Sequence, residues 1–363
     1  MLGWLLLAGQ ALAQGTDPAI QKGLAWLQGQ IGSNGQLASE AASPALPMQV
    51  RSETATTLKA LSATVPAALY AAIDGITPDT TEYLARKALA KQLAGSPNAP
   101  ALNALVQMQN ADGGFGAAVG LQSNPLDTAH ALMALAPART DTTLRALMWL
   151  AGSQQANGSW LLQPDSDAVV TTALATQALT PYRDQADAQA ALTKARAWLL
   201  AQRNTAQTWD DDMRTAQALL AVLPGLDSAA SVQPAIDALR ASQLADGSWA
   251  GDPYTTALAL RALWAMAQPN PNQILIQGRV VDGQTGLALS GVSVALNGAQ
   301  SYSQPTDANG QFEFTNPAPG SYTLSVSQTG FGTVTGAIAA AAGQTLNIGT
   351  IALLPISAGA TTG

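Results

Sequence analysis

Chemistry needs groups that titrate, attack or coordinate, and this chain has few of them. It has one histidine, His130, and no cysteine. The lack of thiols removes disulfides, thiolate zinc sites, cysteine nucleophiles and thioester formation together. His130 follows Asp127 by three residues, the one spacing in the sequence that suits a general base with an acid beside it. That makes a pair and not a triad. Three adjacent acids, Asp210, Asp211 and Asp212, could gather a hard cation such as calcium, or repel one another and raise one pKa. Standing before "MRTAQALL", they also suit the first turn of a helix, where a carboxylate gains roughly 0.3–1 kcal/mol from the dipole. Glu53 and Asp127 hold the same place before their own apolar runs, so the helix-end reading of the triplet is preferred. "PDSDAV" adds Asp165 and Asp167. Tyr254, Trp160 and Trp249 could stack on a sugar ring, but Trp recurs in register with Phe115, which points to packing.

The elements that must position these groups form a repeat. "TATTLKAL" (54–61), "TAHALMAL" (128–135), "TALATQAL" (172–179), "TAQALLAV" (215–222) and "TALALRAL" (256–263) share one helical text. Thr128, Thr172, Thr215 and Thr256 lie 44, 43 and 41 residues apart. The gap of 74 residues from Thr54 to Thr128 leaves room for one degenerate unit, with "TTEYLARKALAKQLAG" as its helix. Between these helices run others that end in Gln and a glycine loop: "QNADGGFG" (109–116), "QQANGSW" (154–160), "QLADGSW" (243–249), and the weaker "QRNTAQTW" (202–209) and "QIGSNGQL" (30–37). The Gln side chain lies near the last turn, where helix carbonyls lack partners. It can bond them or reach the next helix's amides. Asp-Gly makes the turn, the glycine being free to take φ > 0, and the aromatic packs back on the bundle. A helical hairpin cannot bury both faces alone, so about six of them must stack, and six can close into a ring with the Ala-rich helices inside.

In such a ring the variable positions of the inner-helix text look into the lumen. They supply Lys59, His130, Gln177, Gln217 and Arg261 as candidate ligand-binding residues, three-residue spacing keeping each helix's pair on one stripe. The bland alternative is polar groups that snorkel to water.

The net charge of −7 with 47% apolar residues describes a globular chain with no basic footprint for nucleic acid. "MLGWLLLAGQALAQ" reads as a secretory signal over 1–13, with cleavage before Gln14. No later stretch approaches the ~20 apolar residues that span a bilayer. Composition shifts at "QPNPNQ" (268–273), a linker between a helical domain (14–267) and a β domain (274–354), with a flexible tail at 355–363. In the β part, "ILIQGRVVDGQTGLALSGVSVALNG", "TDANGQFEF" and "PAPGSYTLSVSQTGF" alternate apolar and polar residues around turns, about seven short strands.

The glycine loops resemble the repeats of prenyltransferases and of squalene or hopene cyclases, in the α/α-toroid superfamily. That resemblance implies a toroid over roughly residues 20–266. The family's catalytic sets do not transfer. A zinc or thioester site there needs Cys. The cyclases protonate substrate from Asp-x-Asp-Asp, whereas "TWDDDMR" lacks the fourth-position acid and "PDSDAV" has Ala168. The tail, through "GRVVDGQTGLALSGVSV", "TDANGQFEF" and "PGSYTLSVS", resembles the carboxypeptidase regulatory-like domain. This implies an antiparallel transthyretin-like β-sandwich, a non-catalytic accessory module.

The expectation is an exported, non-enzymatic binding or scaffold protein of the bacterial surface or periplasm, without cofactor. Its partner is an unidentified ligand or surface molecule, with no nucleic acid and no membrane span. The alternative is a terpenoid cyclase-like or polysaccharide-lyase-like enzyme acting in the lumen.

Overall fold

The structure, a computed structural model, describes residues 17–356 apart from 97, 164–166, 227–228, 268–273, 299, 316, 318 and 342. The signal read over 1–13, the linker 268–273, Asp165 and tail residues 357–363 lie outside the described residues. The chain divides into two compact units, 1–268 and 269–363.

The first unit is helical. In chain order its helices are α1 (Pro18–Gly29), α2 (Pro47–Ala60), α3 (Ala67–Asp74), α4 (Thr81–Leu93), α5 (Ala99–Gln107), α6 (Pro125–Leu135), α7 (Asp141–Gly152), α8 (Ala168–Leu179), α9 (Ala186–Ala201), α10 (Asp212–Val222), α11 (Gln233–Ala241) and α12 (Pro253–Ala267). The even-numbered helices each pack on two even-numbered neighbours, and α12 packs on α2, so the inner ring closes. The odd-numbered helices pack outside it. Their text explains the difference. Inner α8, "AVVTTALATQAL", buries eight of its twelve residues, which small Ala and Thr side chains permit on several faces at once. Outer α11 buries three of nine. Side-chain caps start many of them: Asp17 on α1, Thr80 on α4, Asn124 on α6, Thr140 on α7, Asp167 on α8 and Asp211 on α10, each satisfying an otherwise unpaired N–H.

The glycine loops are clasps between neighbouring hairpins. Gln109 Nε2 donates to the Gly113 carbonyl and to the Thr142 carbonyl on α7, both at 2.8 Å. Gln154 does the same to Gly158 and Ala191 on α9, and Gln243 to Gly247 and Ala19 on α1. The amide therefore reaches carbonyls of the next outer helix, not that helix's amides. Of these five glutamines only Gln202 is recorded bonding its own helix, at the Trp198 carbonyl. The Gln243 clasp fastens the last loop onto the first helix. The Asp or Asn of each loop accepts from the N–H two residues on: Asp112 from Gly114, Asn157 from Ser159, Asp246 from Ser248. Phe115, Trp160, Trp209 and Trp249 are buried, and their backbone N–H groups donate to the hydroxyls of Thr128, Thr172, Thr215 and Thr256. That bond explains the leading Thr of the inner-helix text. In the first hairpin the aromatic is replaced by Leu37, whose N–H goes to Glu40, and the buried Thr54 hydroxyl has no partner among the described residues.

Gln243→Ala removes two bonds at the ring's seam. At about 0.5–1.5 kcal/mol each, the expected loss is 1–3 kcal/mol, read as a melting temperature lower by several degrees. An unchanged melting temperature would count against the clasp.

The second unit has seven strands: β1 (Leu275–Asp282), β2 (Ser293–Asn297), β3 (Tyr302–Pro305), β4 (Gln311–Thr315), β5 (Gly320–Ser327), β6 (Val334–Ala340) and β7 (Thr345–Leu353). They form two sheets, ordered β4-β1-β7 and β3-β2-β5-β6. Alternation puts Val294 and Leu296, Phe312 and Phe314, and Tyr322, Leu324 and Val326 into one core drawn from both sheets. The pairing is antiparallel except between β1 and β7, which run parallel with a register shift at Gln277/Gly278. The sandwich is antiparallel-rich as expected, with one parallel pair: β6 and β7 are consecutive yet belong to different sheets, and β7 meets β1 in the same direction. Of the tail read as 355–363, Pro355 bridges Phe331 and the Ile356 N–H donates to the Gly330 carbonyl.

Candidate functional site

Four inner helices bring titratable side chains together on the interior of the ring. Glu53 comes from α2, Glu82 and Arg86 from α4, His130 from α6 and Arg261 from α12. Arg86 Nε donates to Glu82 Oε1 at 2.7 Å, and its Nη1 lies 3.6 Å from Glu53 Oε2 and 3.2 Å from Ser52 Oγ. Glu53 is also ion-paired with Arg261. Gln49 Nε2 donates to Glu82 Oε1 at 2.9 Å, and His130 Nε2 stands 3.6 Å from the same oxygen. The side chains of Glu53 and Arg86 are each 10% exposed and that of His130 is 6% exposed, so these charges are compensated by one another rather than by water.

The environment sets their protonation. Burial, with the Arg86 cation beside it, pushes the His130 imidazole down to about 4, against the pull of Glu82 and Glu53. Burial alone would raise Glu82, but His130, protonated in the acid range where Glu82 titrates, and Arg86 hold it down, at about 2. Near neutral pH a neutral imidazole therefore faces the Glu82 carboxylate and the Arg86 guanidinium. Asp127 is pushed above its usual range by burial, and its carboxylate accepts from Asn124 Nδ2 at 2.6 Å. The acid facing His130 is thus Glu82, contributed by the neighbouring helix, and not Asp127.

The pH dependence follows. His130 has a folded pKa of about 4 and an unfolded value near 6.5, so between those values the unfolded chain binds more protons. Stability falls as pH falls through that window. The Glu82 share is lost only below its unfolded value, and Asp127 acts with the opposite sign near its own. Between pH 7 and pH 5 the His130 term is about 2 kcal/mol. The expected result is a lower melting temperature at pH 5, with the difference flattened in His130→Gln. Equal pH dependence in the two proteins would overturn the assignment.

The other candidates are dispersed. Gln217 is buried, its Oε1 without a partner among the described residues, and Gln177 Nε2 lies 3.4 Å from the Gln217 backbone carbonyl. Lys59, in the last turn of α2, is exposed. Asp211 caps α10 and binds Arg214, which also holds Asp210 and Asp167, while Asp212 accepts from Ser242 Oγ. Among the described residues no group of three or more His, Asp or Glu could hold a metal ion.

Residues 275–354 match the carboxypeptidase regulatory-like domain. The helical unit is similar in structure to a type II terpene cyclase from Scytonema, at 17% identity over 69% of this chain and 97% of that one, TM-score 0.56. It is also similar to a protein from Actinoplanes, at 17% identity over 69% and 99%, TM-score 0.52. A third likeness is to the ent-copalyl diphosphate synthase from Streptomyces platensis, at 22% identity over 61% and 50%, TM-score 0.50. A comparison with curated protein sequences finds no match. The chain joins an α/α toroid to a carboxypeptidase regulatory-like domain. At these identities the likeness establishes the toroid fold, and a fold hosts many activities.

Within the toroid, Glu82 and Arg86 are the residues that sequence reasoning passed over. Their helix lacks the Thr-Ala text used to find the others. A different landmark recovers them: Arg86 is six residues past the cap Thr80, as His130 is six past Asn124. Arg86 therefore occupies the lumen position of the degenerate hairpin. Glu53 is not at a helix end but within α2, as the acid shared by Arg86 and Arg261. Among the described residues no helix is long and apolar enough to cross a membrane.

Proposed function

We propose that the toroid is a non-catalytic scaffold or binding body of an exported surface or periplasmic protein, with the carboxypeptidase regulatory-like domain as its accessory module. The observation that carries this reading is the self-compensation of the lumen charges. Glu53 serves two arginines, and Arg86 serves two glutamates. A general acid needs a raised pKa and a general base one near the working pH. Glu82 at about 2 and His130 at about 4 are tuned away from both tasks. The network holds α2, α4, α6 and α12 in register. Export rests on the apolar leader and its Ala11-Leu12-Ala13 site.

The second reading, an enzyme in the lumen, draws on the fold shared with the terpene cyclases. The purified chain, incubated between pH 5 and pH 8 with geranylgeranyl diphosphate, squalene or a uronate-containing polysaccharide, is expected to yield no product by mass spectrometry. A product that disappears in Glu82→Gln would replace the scaffold reading with the enzymatic one.

A further inference from the structure

A cleft of about 170 Å³ opens between α3 and α4 on the outside of the ring interior. The buried Ile73 and the half-buried Tyr70 line it with three alanines, and its polar lining residues are Asp74, Lys87, Lys91 and Ser96. Lysine is ordinarily among the most exposed residues. Here the side chains of Lys87 and Lys91 are only 15% and 28% exposed.

The donors in this cleft are unequally engaged. The Lys87 ammonium donates to the carbonyls of Asp74 and Ile76 and lies 3.3 Å from Asp74 Oδ1, which occupies its three N–H groups. Among the described residues the Lys91 ammonium has one partner, Asp74 Oδ1 at 2.9 Å, which leaves two of its N–H groups without a partner there. Among the described residues no hydrogen bond is recorded for the hydroxyls of Tyr70 and Ser96. Two ammonium groups face one carboxylate, so the cleft carries a net positive charge on a chain whose net charge is −7. The cavity is smaller than the ~300–1,000 Å³ of drug-sized sites, so it suits one small molecule and not a polymer segment.

We infer that this cleft binds a small polyhydroxylated monocarboxylate, a sugar acid, its carboxylate on Lys91 and its hydroxyls on Tyr70 and Ser96. The aromatic wall takes the carbon skeleton, and Asp74 is the acid that competes with the ligand carboxylate for Lys91. The site stands apart from the lumen network and does not depend on the scaffold reading.

The test is calorimetric titration of the full chain with D-glucuronate, D-glucose and acetate. Glucuronate is expected to bind with a Kd on the order of 1 mM. Glucose lacks the charge and acetate the hydroxyls, so each is expected to be at least about tenfold weaker. Lys91→Met is expected to weaken glucuronate by about tenfold or more. Asp74→Asn removes the acid that competes for Lys91, so glucuronate is expected to bind several-fold tighter. A merely structural role for the lysines, as caps of the α3 C-terminus, would not produce that gain. Glucuronate binding no tighter than glucose, or weakened by Asp74→Asn, would overturn the proposal. If Lys91→Met does not fold, the ligand series and Asp74→Asn still decide it.

Discussion

Replacing Arg86 by Met is expected to destabilise the toroid by about 3–5 kcal/mol. The guanidinium serves Glu82, Glu53 and Ser52, and its methylene stem fills the same space that Met would. What is lost is therefore charge compensation rather than volume. Glu82 keeps Gln49 and His130, but a neutral imidazole offers little to a buried carboxylate, and its pKa must climb. Removing one partner of a buried pair costs far more than the pair itself contributes, because the remaining charge is stranded. The double variant Arg86→Met with Glu82→Gln should accordingly recover part of the loss, a coupling on the order of 1 kcal/mol or more between contacting residues. Urea titrations at pH 7 measure both. A single-variant loss below about 1 kcal/mol, or strictly additive effects, would mean that the network is not as closed to water as its burial indicates.

Gly247→Val is the second large effect, about 2–4 kcal/mol. The glycine has φ +99°, and a Cβ there would sit 2.6 Å from the Lys22 carbonyl oxygen on α1. A β-branched residue meets the strain of the left-handed region and a backbone contact that cannot yield without moving the first helix. This is the seam where the last loop meets the first hairpin, so the ring must open slightly or the loop must detach. Gly251 provides the control. Its φ is +65° but nothing lies within 4 Å of the added atom, so Gly251→Ala should cost only the conformational term, about 1 kcal/mol. Thermal melts of the two variants separate crowding from strain. Equal losses would show that no contact with α1 is involved.

The glycine loops were legible because their reasons are local. Asp112 turns the chain onto Gly114, Gly113 takes the positive φ, and Phe115 finds Thr128 thirteen residues on. Each bond recurs with the repeat, so each leaves a mark in the text. The β domain was legible for the same reason, except for the parallel pairing of β1 with β7, which alternation within a strand cannot specify. Lys59 shows the limit of the stripe argument. It has the register of Arg261, but it lies in the last turn of its helix and is exposed, whereas Arg261 finds Glu53.

Sequence alone determined the repeat, the hinge, the number of hairpins and the class of the second domain, because periodicity and turn chemistry act over a few residues. The tertiary structure alone decided which charges meet. Glu53 and Arg261 are 208 positions apart and become neighbours only when α12 closes onto α2. Arg86 has Glu82 one turn earlier on its own helix, but gains Glu53 only because α2 and α4 pack side by side. Ion pairing across helices depends on ring closure, and no spacing along the chain records it.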